Sequence, residues 1–322
     1  MKPLIYQMAG LRRFVVHDGL QCSLCLLVRP SMPWVVVLLA LFFVFPATSA
    51  ERLAGKSLKI GVRADAPPFS YRTGEGHADG YSVDLCKEVA DVVVRQEKRY
   101  DDVQFVWIDP SNRFSKLASR EIDLLCESTT VTLQRMRQVD FSVHTFVSGA
   151  SFLYRADKGK VRFDDLHGQA IGVTPDTTTE ALVRQKLPDA DVHAVSSAHD
   201  GVRMVAEGKL AAYFGDREVL LQINQTRRKA KPAVRLNVSE RYFSFEPYAL
   251  GVSPDPPGTS CQKRRELLFL VNRTLTQLIR DGGIREIFQR HFPGQVKSTV
   301  LDQMLQFQAL PEGKPLKEIC SP

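Results

Sequence analysis

Between residues 58 and 292 the apolar positions come in short blocks that switch between two spacings. Leu58–Val62 (LKIGV), Val103–Ile108 (VQFVWI) and Ile122–Leu125 are brief and apolar, which predicts buried strands. After Gly80, the residues Leu85, Val89, Val92 and Val93 recur at helical spacing and predict a helix with a core-facing stripe. Asp109-Pro-Ser-Asn112 predicts the cap of a second helix, with Arg113 in its first turn. A cation opposes the helix dipole there, so Arg113 is expected to have an anionic partner, Asp109 being one candidate. Phe141 to Tyr154 runs extended through Gly149 and is expected to carry the chain into a second lobe.

That lobe repeats the alternation. Asp165 to Gly168 predicts a turn, Ile171–Thr174 a strand, His199–Glu207 a short helix and Leu210–Phe214 a buried strand. Thr177 and Glu180 have the spacing of a capping box at the start of a helix. Glu246–Val252 predicts a return strand, followed by helices at Leu267–Ile279 and Ile284–Phe292. Pro293 to Pro322 is a polar tail with one amphipathic run, Val300 to Phe307. Strands alternating with helices in two such sets predict an α/β fold with two βα lobes.

The first fifty residues break this rhythm. Trp34–Phe45 (WVVVLLALFFVF) is too short to span a bilayer comfortably, Arg12, Arg13 and Arg29 precede it, and Pro46 to Ala50 supplies small residues. This predicts a secretory signal over 1–50, cleaved after Ala50, and a periplasmic location; an uncleaved anchor is the competing reading. Removing that leader would reduce the formal net charge from +7 to +4. So mild an excess, without interleaved aromatics, excludes a nucleic-acid partner. Arg227 to Lys231 predicts a solvated helix end. Four cysteines remain beyond the leader, which in an oxidising compartment implies two disulfides and three connectivities. Cys86 lies on the first helix and Cys126 at the end of a strand that this helix should cover. Cys86–Cys126 and Cys261–Cys320 are therefore the expected pairs. No spacing matches a zinc site, and no metal or cofactor is expected.

The chemistry concentrates in Cys126 to Ser142, CESTTVTLQRMRQVDFS. Ser128, Thr129, Thr130 and Thr132 line a turn just before Arg135. A guanidinium beside hydroxyls suits capture of a free carboxylate, while a helix cap with a surface arginine explains the same residues. Arg63 ends the first strand, where ligands of open α/β sheets collect. Asp216 ends another strand and suits an ammonium group, or a structural pair with Arg217. The helix start at Thr177 and Thr178 is a ready anion site, although capping alone accounts for it.

The run DLLCESTTVTLQRMRQVDFS resembles the Thr-x-x-Arg signature of the family 3 periplasmic solute-binding proteins, amino-acid receptors of ABC importers, and is closest to their glutamate/aspartate branch. The resemblance extends from about Leu58 to Phe292. It implies the type II periplasmic binding fold, two βα lobes joined by two crossing strands around a ligand cleft. Lobe I would comprise 51–147 and 248–293, lobe II 148–247, and the tail 294–322. Position by position, it implies that Arg135 binds the ligand α-carboxylate with Thr177 and Thr178. Asp216 would hold the α-ammonium with Thr130 and Ser128. Arg63, Arg113 and Thr174 would contact an acidic side chain. The implied protein is a monomer that captures a polar, acidic amino acid for an inner-membrane permease, without enzymatic activity.

Three departures stand out. Glu127 occupies a position where relatives usually have Gly. Ala198 falls where the acidic branch carries a His, with His199 adjacent. The run Tyr213-Phe-Gly-Asp-Arg217 differs from that branch's Asp-Asp ending. The alternatives are a periplasmic dehydratase-like enzyme using Glu127 as general acid, and a sensory amino-acid-binding module.

Overall fold

The computed structural model describes residues 56–97, 100–230, 233–260 and 265–311. The expected leader, Lys231 and the expected Cys261–Cys320 bridge lie outside the described residues. Among these residues, the short apolar blocks form two five-stranded sheets and a small three-stranded one. In the first sheet, β1 (Lys56–Val62) is an interior strand. It pairs in parallel with β5 (Tyr100–Trp107) and with β6 (Leu124–Leu125). Between β1 and β5 lie the hairpin strands β2 (Asp65–Ala66), β3 (Ser70–Arg72) and β4 (Ala78–Asp79), then the helix α1 (Tyr81–Gln96).

The second sheet has the order β10-β9-β11-β8-β12, formed by β8 (Ala150–Arg155), β9 (Ala170–Val173), β10 (Asp191–Ala194), β11 (Ala212–Asp216) and β12 (Leu236–Val238). Two strands connect the sheets. β7 (Asp140–Ser148) leaves the first sheet and continues through Gly149 into β8; β13 (Glu246–Val252) returns beside β7, antiparallel to it and to β6. Gly149 is required where the crossing segments meet, because a Cβ there would lie 2.3 Å from the Ser244 carbonyl oxygen. This is the type II periplasmic binding architecture of two βα lobes.

The core lies beneath the crossing strands. Phe69, Tyr81, Phe146, Tyr248, Phe288 and Phe292 form one aromatic cluster, with Phe288 and Phe292 centroids 4.6 Å apart. It ties the hairpin, α1, both crossing strands and α7 (Gly283–His291) together, and offset or edge-on ring contacts add to the burial of each ring. Leu85, Val89 and Val93 of α1 are buried as the helical spacing predicts, and Cys86 is bonded to Cys126 with Cα atoms 6.3 Å apart.

One expectation needs correction and two gain detail. Adjacent Pro67 and Pro68 predict an extended loop after Arg63, and the chain does not stay extended there. Phe69 N donates to the Ala66 carbonyl at 2.9 Å, and the chain reverses into the β2–β3 hairpin. The amphipathic run of the tail forms a helix, as expected, and docks on the body of the protein. Ser298 caps α8 (Thr299–Gln308), whose Leu301 and Leu305 are buried, and Gln308 accepts a bond from His144 N at 3.1 Å. The basic end of α5 (Arg217–Lys229) faces solvent as expected, and Arg227 and Arg228 also donate to the carbonyls of Val234 and Leu236.

Candidate functional site

Strand ends from both sheets and several helix starts converge on one cleft. It is lined by all nine residues singled out in the sequence: Arg63, Arg113, Ser128, Thr130, Arg135, Thr174, Thr177, Thr178 and Asp216.

One end is built from Arg135, Thr177, Thr178 and Asp216. Arg135 lies in a single 3-10 turn, Arg135–Arg137, after β6. Its Nη1 donates to the Thr130 carbonyl at 2.7 Å and its guanidinium lies 4.8 Å from the Phe114 ring centroid. Among the described residues no carboxylate forms an ion pair with it. Burial, and then the charge of Arg113, lower its pKa to about 10, so it stays cationic at neutral pH. Opposite stands α3 (Thr178–Lys186), whose N-cap Thr177 accepts from Glu180 N at 3.1 Å. Glu180 reaches back to Asp176 N rather than to Thr177 N, so half of the expected capping box forms. The helix start brings its unpaired N–H groups and positive dipole end toward Arg135.

Asp216 ends β11. Burial, then the nearby charge of Glu246, push its carboxyl up to about 7, opposed by the Tyr248 hydroxyl. It forms no ion pair with Arg217, which donates to the Ser239 carbonyl and lies against Tyr242. Glu246 is buried and accepts from Thr130 Oγ1 at 2.5 Å, Thr178 Oγ1 at 2.6 Å and Ser244 Oγ at 2.7 Å. It thereby links the Thr130 turn to the start of α3.

The other end behaves differently. Ser70 Oγ accepts from Arg63 N at 2.8 Å and fixes the residue just beyond β1. The Arg63 guanidinium lies 2.7 Å from Asp65 and 3.7 Å from Glu127 Oε2. Arg113, first residue of α2 (Arg113–Ala118), donates to Glu127 Oε1 at 2.5 Å and to the Asp176 carbonyl at 3.3 Å. The expected anionic partner of Arg113 is therefore Glu127 and not Asp109. Thr129 Oγ1 adds a second donor to Glu127 Oε1, at 2.7 Å. Burial would raise the Glu127 pKa, but Arg113 and then Arg63 hold it below the usual carboxylate range. Burial works against the Arg63 charge, and Asp65 and Glu127 outweigh it, raising its pKa.

Thr174 Oγ1 and the Tyr213 hydroxyl are 2.8 Å apart on the same wall, and burial raises the Tyr213 pKa. Gly201 makes room for that ring, since a Cβ there would come 2.3 Å from it.

A cleft between two lobes, bounded by strand ends and a helix start, is a binding site before it is anything else. The family model described as bacterial extracellular solute-binding proteins, family 3, matches residues 58–294. The chain belongs to that family. Among relatives of this solute-binding family, the chain is 27% identical over 243 residues to the glutamate/aspartate import solute-binding protein of Salmonella typhimurium, covering 74% of this chain and 76% of that one. It is 23% identical to the ABC transporter glutamine-binding protein of Bacillus subtilis, covering 72% and 79%. A solved structure of an ancestral arginine-binding protein bound to arginine superposes with a TM-score of 0.64 at 26% identity, covering 74% of this chain and 99% of that one.

Within this solute-binding scaffold, Asp65, Tyr213, Glu246 and the ion-pairing role of Glu127 escaped the sequence reading. Asp65 sits two residues after Arg63, and that spacing was the available signal. Tyr213 read only as part of a buried strand, and nothing in the sequence brings Glu246 beside Thr130 and Thr178. Ala198, first residue of α4 (Ala198–Ala206), lines the cleft, whereas His199 faces solvent and does not take the place of a cleft histidine.

Proposed function

We propose that this protein captures an amino acid in the cleft and hands it to the permease of an ABC importer. The observation that carries the reading is the pairing of Arg135 and Asp216 across one cavity, each without an ion-pair partner among the described residues. A free amino acid has a carboxylate and an ammonium on adjacent atoms. Arg135 with the amides at the start of α3 receives the first, and Asp216 with the Thr130 and Ser128 region receives the second. The names of the relatives support both amino-acid binding and an import role. An acidic ligand has the glutamate/aspartate names behind it, and against it the carboxylates already seated on Arg63 and Arg113.

The dehydratase alternative loses its candidate acid. Glu127 is held ionised by two arginines and has no proton to donate at neutral pH. Calorimetric titration of the purified protein, refolded to strip copurified ligand, tests the proposal. At least one amino acid binds with micromolar or tighter affinity; no binding across all twenty rejects it. Deleting the gene abolishes high-affinity uptake of that amino acid, whereas a purely sensory module leaves uptake intact.

A further inference from the structure

We infer that Glu127 is a built-in carboxylate that sits behind Arg63 and Arg113 and neutralises their end of the cleft, so that the ligand is an amino acid with an uncharged side chain. The inference rests on the amino-acid reading above. Glu127 is almost wholly buried, with 1% of its surface exposed, and its two oxygens face different arginines: Oε1 lies 2.5 Å from Arg113, Oε2 3.7 Å from Arg63. Among the described residues, Oε2 accepts no hydrogen bond. Asp65 takes a further share of Arg63, through both Nε and Nη2. Two cations are thus met by two carboxylates of the chain itself, and this end of the cleft is close to neutral. At the opposite end Arg135 and Asp216 balance one zwitterion.

An acidic side chain entering here would place a third carboxylate beside Glu127 and Asp65 with no cation left to share. A cationic side chain would meet Arg63 and Arg113, which line the cleft in front of Glu127. A neutral side chain meets neither penalty. The polar Thr174–Tyr213 pair and the apolar Ala66, Ala198, Val219 and Leu220 offer it contacts.

The test titrates the wild-type protein and the variants Glu127→Gly and Glu127→Gln with glutamine, serine, alanine, glutamate, aspartate and arginine. Circular dichroism and thermal melting check the fold of each. Glu127→Gln keeps the side-chain volume and the contact with Thr129 if Glu127→Gly fails to fold. In the wild type, a neutral amino acid should bind at least about a hundredfold more tightly than glutamate, aspartate or arginine. Either variant should narrow the gap to glutamate or aspartate at least about tenfold. A wild type that prefers glutamate or aspartate, or variants that leave the preference ratio unchanged, would overturn the inference while leaving amino-acid capture standing. No binding of any amino acid would overturn both.

Discussion

The two ends of the cleft are built from the same residue types and do opposite things with them. At one end Arg63 and Arg113 are spent on Asp65 and Glu127, so the free protein holds buried ion pairs that are already complete. At the other, Arg135 and Asp216 face a shared space without ion-pair partners among the described residues, and both pKa values move in the direction that burial of a lone charge dictates. A buried charge with its counter-ion in place contributes to structure. One lacking it represents stored binding capacity, since a complementary ligand removes the desolvation cost at the moment it binds.

The comparison predicts that substitutions at the two ends divide between stability and affinity. The largest effect is expected for Arg113→Ala, which leaves Glu127 buried with only the more distant Arg63. Stability should fall by about 3–5 kcal/mol, read from the denaturation midpoint. Arg135→Ala should leave that midpoint nearly unchanged and weaken amino-acid binding by about 2–4 kcal/mol, roughly thirtyfold to a thousandfold, by calorimetry. If Arg135→Ala proves as destabilising as Arg113→Ala, the division between the ends fails.

The smallest effect is a pH dependence. The folded pKa of Asp216, about 7, lies above its unfolded value, so the folded free protein holds this proton more tightly. Its contribution to stability is therefore greatest at low pH and declines as pH rises toward 7. Binding an ammonium needs the ionised form and runs the other way. Affinity should rise about tenfold per pH unit below 7 and level off above it, with a proton released on binding at pH 6. Asp216→Asn should abolish that slope.

Much of this was legible in the sequence because it depends on local spacing. Helical spacing at Leu85, Val89 and Val93 and the strand ends at Arg63 and Asp216 predict the elements and where cleft residues lie on them. What stayed hidden is long-range pairing. Glu127 could be marked as unusual, but whether its carboxylate is an acid or an arginine's partner depends on Arg113 and Arg63, 14 and 64 positions away. Thr130 and Glu246, 116 residues apart, meet only because two strands cross. The docking of α8 also escaped, since an amphipathic run does not name the surface it will cover.

A crystal structure of the protein with its bound amino acid tests the arrangement most directly. The ligand carboxylate should sit on Arg135 and the first amides of α3, its ammonium on Asp216, with the Arg113–Glu127 pair intact. A ligand carboxylate seated on Arg63 or Arg113, with Glu127 turned away, would contradict it.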